Sequence, residues 1–134
     1  MPQYVLPYKE INNKDTGLVG GKNASLGEMI QQLSDKGIHV PNGFATTAEA
    51  FHRFLEQNNL KEQLQELLGS LDTEEFSNLQ EIGSKARDLV LQASMPDDVA
   101  EAIRGAYKEL EEEEQDLTGV AVRSSATAED LPEA

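Results

Sequence analysis

Apolar residues recur at helical spacing along most of the chain. Leu26, Met29, Ile30 and Leu33 fall at i, i+3, i+4 and i+7, which predicts a helix from Ala24 to Lys36 with one buried stripe. Lys36 and Gly37 suit its last turn and the position just past it. Thr46, with Glu49 three residues on, has the form of a capping box. Phe51, Phe54 and Leu55 are the expected buried face of the helix it opens, which stops near Asn58-Asn59. Leu60, Leu64, Leu67 and Leu68 mark a further short helix. Asp72-Thr73-Glu74-Glu75 reads as the start of a helix burying Phe76, Leu79, Gly83, Ala86, Val90 and Ala93. Pro96 suits a first helical position, where its missing N–H costs nothing. Val99, Ala102, Ile103, Ala106, Tyr107 and Leu110 then form the clearest stripe in the chain. The four carboxylates of Glu111 to Glu114 oppose the helix dipole and predict a fraying, solvated end.

Strand signals are fewer. Tyr4 to Leu6 and Phe44 to Thr46 read as short strands, and Val40-Pro41-Asn42-Gly43 as a turn. Asn12 to Lys22 is polar and glycine-rich and reads as a loop. Gly119-Val120-Ala121-Val122-Arg123 is short, apolar and β-branched, the pattern of a buried strand, and a polar segment follows it. A buried strand so placed needs partner strands, which are expected outside this sequence. The fold class is therefore α+β: helices over a small, incomplete sheet. The length of 134 residues suits one domain, and no internal repeat is present.

Composition narrows the function classes. The net charge of −14 disfavours nucleic acid and anionic membrane surfaces as partners. No apolar run approaches a membrane span, and the N-terminus has no signal-peptide pattern. The absence of cysteine removes disulfides and thiolate chemistry and fits a cytoplasmic protein. Charge is uneven, however: residues 1–22 carry Lys9, Lys14 and Lys22 against only Glu10 and Asp15.

Two segments could handle a small anion. Gly17-Leu18-Val19-Gly20-Gly21-Lys22-Asn23-Ala24-Ser25-Leu26-Gly27 is a glycine-rich stretch opening a helix, with a lysine at the junction. Small residues let backbone N–H groups approach a phosphate, and a helix N-terminus favours an anion. It is not a P-loop, because Thr16 and Asn23 stand where glycine and Ser/Thr are needed. An ordinary glycine loop with a solvated lysine is the alternative. In the second segment, Arg123 ends the expected strand and is followed by Ser124 and Ser125. A guanidinium at a strand's carboxyl end suits an anion, and an ion pair to one of the many carboxylates is the alternative. His39 and His52 lack any metal-binding context. Glu129 and Asp130 read as a solvated loop, and Ser124 and Ser125 have no evident base for nucleophilic chemistry.

Three stretches carry a resemblance. Gly20-Gly21-Lys22-Asn23-Ala24-Ser25-Leu26-Gly27-Glu28-Met29 resembles the opening ATP loop of the phosphoenolpyruvate synthase family. Val40-Pro41-Asn42-Gly43-Phe44-Ala45-Thr46-Thr47 resembles that family's VPxGFATT segment. Val120 to Pro132 is similar to its VAVRSSATAEDLP signature. The Asn23-Ala24-Ser25-Leu26-Gly27 wording favours the synthase over the related rifampicin phosphotransferase and pyruvate phosphate dikinase. The resemblance implies that residues 1–134 are a partial N-terminal ATP-binding (PEP/pyruvate-binding) domain of the ATP-grasp kind. The parent reaction converts ATP, pyruvate and water to AMP, phosphoenolpyruvate and phosphate with magnesium. It puts ATP phosphates on Lys22 and Arg123, with weaker contacts from Gly20, Gly21, Ser124 and Ser125. It implies no catalytic residue and no metal ligand within this chain. Magnesium ligands, the phosphorylated histidine and the pyruvate-binding barrel are expected in the remainder of the parent enzyme, so that the chain alone is catalytically incomplete. The full enzyme is a possible homodimer. The rival expectation is a non-catalytic acidic helical module whose strand at Val120 to Arg123 pairs with a partner chain.

Overall fold

The computed structural model describes residues 3–127. Two strands, β1 (Val5–Pro7) and β2 (Phe44–Thr46), pair antiparallel with Val5 opposite Thr46, Leu6 opposite Ala45 and Pro7 opposite Phe44. The α-helices are α1 (Thr16–Val19), α2 (Gly21–Leu33), α3 (Ala48–Gln57), α4 (Leu60–Gly69), α5 (Leu79–Gln92) and α6 (Asp97–Glu113). The fold is thus α+β, mostly helical with a two-stranded sheet. The chain forms two compact units, one of Met1–Phe51 with Asp98–Ala134 and the other of His52–Asp97.

The first unit is built around Ile11, which is fully buried with Val19, Ala24 and Ala45, while Leu6 and Tyr8 pack against this cluster. The helical face that enters this core is not the large-residue stripe. Gly21, Ala24 and Gly27 are the buried residues of α2, and Met29 is exposed. The reason is a close approach: a Cβ on Gly27 would collide with the Ile11 carbonyl oxygen and Cβ. Only a row of small residues lets the backbone at Ile11 lie against the helix. The predicted loop of Asn12 to Lys22 is also helical. Asn12 caps a 3-10 turn at Asn13–Asp15, accepting from the Lys14 N–H at 2.8 Å while its own N–H donates to Asp15 at 3.0 Å. Helix α1 follows, and α2 begins at Gly21 rather than Ala24.

The cap of α3 lies one residue later than expected. Thr47 Oγ1 accepts from the Ala50 N–H at 3.2 Å, and Glu49 accepts from the Gln3 N–H at 2.8 Å instead of closing a capping box. Ala50 is the buried residue of this helix, and Phe51 is more than half exposed. The α6 stripe holds, with Val99 and Leu110 buried. Its acidic end is exposed, as expected at Glu111 to Glu113, but one carboxylate there is held in place. Lys9 Nζ donates to Glu113 at 2.8 Å, and the Asn42 side-chain amide donates to the other carboxylate oxygen at 2.9 Å.

In the second unit, Asn58 and Ser94 exchange two hydrogen bonds, of 2.9 and 3.0 Å, which pin the end of α3 to the end of α5. Asp72 does accept N–H groups, from Glu74 and Glu75, but it closes a turn and not a helix. Phe76 turns to φ 55°, and α5 starts only at Leu79. The buried face shifts accordingly: Ile82 is its buried residue, while Phe76, Leu79 and Val90 are exposed. Pro96 immediately precedes α6 instead of occupying its first turn.

The largest departure concerns residues 119–123. They form no strand, and Val120 and Val122 are 48% and 93% exposed. A β-branched run becomes a strand only when another strand accepts its hydrogen bonds, and among the described residues the sheet consists of β1 and β2 alone. Among the described residues no helix is long and apolar enough to cross a membrane.

Candidate functional site

The glycine-rich segment and the arginine segment, a hundred residues apart in sequence, meet in the first unit. The Gly21 N–H donates to the Ala126 carbonyl at 3.1 Å, and the Asn23 N–H reaches Ser125 Oγ at 3.4 Å. Gly20 makes the approach possible. Its φ of 88° and ψ of 161° belong to a region that only glycine populates freely. A Cβ there would strike Ser125 Oγ and lie 3.0 Å from both the Ala126 nitrogen and oxygen. The glycine pair therefore serves a backbone-to-backbone seam. Gly21 and Asn23, two of the first-turn N–H groups that a helix N-terminus offers to an anion, are already committed to residues 125 and 126.

Lys22 lies between these two tied residues, half-buried in the first turn of α2. Arg123 and Ser124 are exposed, and Ser125 is half-buried. Arg123 lines an open cleft of about 480 Å³ with Tyr8, Leu26, His39, Asn42 and Val120, but Lys22 is not on its wall. Glu114 and Asp116 line the same cleft, so it is not cationic throughout. His52 is on the exposed side of α3, and Glu129 and Asp130 lie outside the described residues.

Tyr8 is the residue that sequence reasoning missed. Its N–H donates to the Gly43 carbonyl at 3.0 Å, which extends the β1–β2 pairing by one step. Its ring lies over Gly43, where a Cβ would come within 2.9 Å of the ring edge. Its hydroxyl donates to Asn23 Oδ1 at 3.2 Å. Burial pushes the hydroxyl pKa up, and the positive charge of Arg123 pulls it part of the way back. One half-buried tyrosine thus touches the turn before β2, the start of α2 and the field of Arg123. A single tyrosine after a proline gave no local pattern by which to find it.

The side chains of Lys22 and Arg123 fit a polyanion by charge and geometry type, since a lysine contributes a point charge and a guanidinium a planar fork. Magnesium is different. Among the described residues no three histidine, aspartate or glutamate side chains gather as a metal site.

Residues 16–134 match the family described as pyruvate phosphate dikinase, AMP/ATP-binding domain. The chain is 50% identical over 135 residues to phosphoenolpyruvate synthase of Synechocystis sp., covering 97% of this chain and 16% of that protein. It is 45% identical over 130 residues to phosphoenolpyruvate synthase of Escherichia coli, covering 97% of this chain and 16% of that protein. The synthase of Pseudomonas aeruginosa is 45% identical over 134 residues, covering 100% of this chain and 17% of that protein. The chain thus spans about a sixth of the length of these relatives. The seam between Gly20–Asn23 and Ser125–Ala126 falls wholly inside the matched stretch, and on that match the chain belongs to the pyruvate phosphate dikinase AMP/ATP-binding domain family.

Proposed function

We propose that this chain is part of the ATP-binding region of a phosphoenolpyruvate synthase of ATP-grasp type, in which Lys22 and Arg123 hold the phosphates of ATP. The observation that carries the reading is the Gly21 N–H to Ala126 carbonyl bond of 3.1 Å, which ties the turn containing Lys22 to the segment following Arg123. Two cations acting on one triphosphate would neutralise charge that spreads over phosphoryl oxygens as they transfer. Gly20 and Gly21 hold the seam closed, and Ser124 and Ser125 are weaker candidates for phosphate contact. The parent reaction, from ATP, pyruvate and water to AMP, phosphoenolpyruvate and phosphate, needs the remainder of a longer enzyme. Magnesium enters with the nucleotide, and its protein ligands come from that remainder. The Asn23-Ala24-Ser25-Leu26-Gly27 wording and the synthase relatives favour this substrate pair over the related dikinase and rifampicin phosphotransferase chemistries.

The test is calorimetric titration of Mg-ATP into the chain, into Lys22→Ala and into Arg123→Ala. With part of the contacts in place, wild-type affinity is weak, in the millimolar range. Each variant loses about tenfold or more, the worth of one charge-assisted hydrogen bond. Variants that bind as wild type does would contradict the assignment. A second reading, a non-catalytic module that pairs through residues 120–123, is favoured by the exposure of Val122 at 93%. Arg123→Ala separates the two, because it weakens nucleotide binding and leaves strand addition, which uses backbone groups, intact.

A further inference from the structure

We propose that Tyr8 is a positioning residue of this site: its hydroxyl holds Asn23, and through Asn23 the first turn of α2 beside Lys22, against the segment that follows Arg123. The proposal rests on the nucleotide reading of the site and adds to it a residue that precedes the matched stretch of 16–134.

The hydrogen-bond directions leave little freedom. The Asn23 Nδ2 donates to the Val19 carbonyl at 2.8 Å, and a carbonyl can only accept. The amide oxygen must then face Tyr8, and the Tyr8 hydroxyl must donate to it, at 3.2 Å. Both ends of the Asn23 side chain are thereby used. Its backbone N–H points to Ser125 Oγ, and its neighbour Gly21 donates to Ala126. Rotation of Asn23 would loosen the bonds that hold residues 125 and 126 at the start of α2. Tyr8 is well placed to prevent that rotation, because its own position is set elsewhere. Its backbone is bonded to Gly43 and its ring rests on Gly43, so the hydroxyl is carried by the two-stranded sheet and not by the site. The ring provides packing, and the hydroxyl provides position. The two roles can be separated chemically.

Tyr8→Phe keeps the ring and deletes the hydroxyl. Amide hydrogen exchange in the nucleotide-free chain is the first readout. Loss of one neutral hydrogen bond speeds exchange at Gly21 and Asn23 by about fivefold, and the amides of the paired strands β1 and β2 keep their wild-type rates. Mg-ATP affinity falls by a similar factor. Asn23→Ala deletes the other partner, and in that background Tyr8→Phe adds no further change at Gly21. Unchanged exchange at Gly21 and Asn23 in Tyr8→Phe overturns the proposal, whatever the nucleotide does. Uniform acceleration across strands and site alike also overturns it, because that is a packing effect. Faster exchange at Gly21 and Asn23 in a chain whose wild type shows no response to Mg-ATP overturns the nucleotide reading on which the proposal rests, while the clamp itself stands.

Discussion

Substituting Gly20 by alanine tests the seam on which the site depends. Two costs arise. The backbone at φ 88° and ψ 161° is essentially closed to residues with a Cβ, and holding one there costs about 1–3 kcal/mol. The new methyl also strikes Ser125 Oγ, so residues 125 and 126 must move away and the Gly21 to Ala126 hydrogen bond is lost, at about 1 kcal/mol. The expected destabilisation is therefore about 2–4 kcal/mol. That is a large share of the roughly 5–15 kcal/mol by which a domain is stable. At a urea m-value of about 2 kcal/mol per molar, it moves the unfolding midpoint down by about 1–2 M. Gly17→Ala is the control: Gly17 lies in α1 with nothing within 4 Å of an added Cβ, and alanine there is neutral or gains up to about 1 kcal/mol. Urea unfolding of both variants, with amide exchange at Gly21, decides the matter. A Gly20→Ala midpoint equal to that of wild type would refute the argument that the glycine is required by the approach of residues 125 and 126.

Gly27→Ala drives a methyl into the Ile11 backbone and lowers stability by about 1–3 kcal/mol in thermal unfolding, without touching the Lys22 turn directly. The Lys9–Glu113 pair adds a pH dependence with two limbs. The Lys9 hydrogen bond, then Asn42, holds the Glu113 carboxyl below its ordinary range, so its contribution is present above that range and lost as pH falls through the lowered value. The same bond raises Lys9 above the usual lysine range, so its contribution is present below that range and lost as pH rises through the raised value. Both groups are exposed, and the effect is small. Glu113→Gln flattens the acid limb in pH-dependent thermal unfolding, and an unchanged acid limb would remove the pair from the account.

The parts of this fold legible in sequence are those in which large apolar residues repeat locally. The α6 stripe from Val99 to Leu110 is one, and α4, marked by Leu60, Leu64, Leu67 and Leu68, is another. The buried row of Gly21, Ala24 and Gly27 was not legible, because small residues score as weakly apolar and their value comes from Ile11, far away in sequence. Residues 119–123 carried the composition of a strand, but pairing is a property of two segments and one segment cannot declare it. Asp72 offered the right capping chemistry, yet the same carboxylate closes a turn as readily as a helix. For the site, local chemistry singled out Lys22 and Arg123 separately. Their segments' meeting followed only from the resemblance, because hydrogen bonds between residues 21 and 126 leave no periodic trace. Tyr8 left none at all, since what it does depends on Gly43 and Asn23 being brought to it.

Backbone amide shifts of the isotopically labelled chain, followed during a Mg-ATP titration, test the central claim most directly. The account predicts shifts gathered at Gly20 to Asn23 and at Val122 to Ala126, saturating in the millimolar range, with α4 and α5 silent. A folded chain that shows no shifts at these residues at millimolar nucleotide would contradict it.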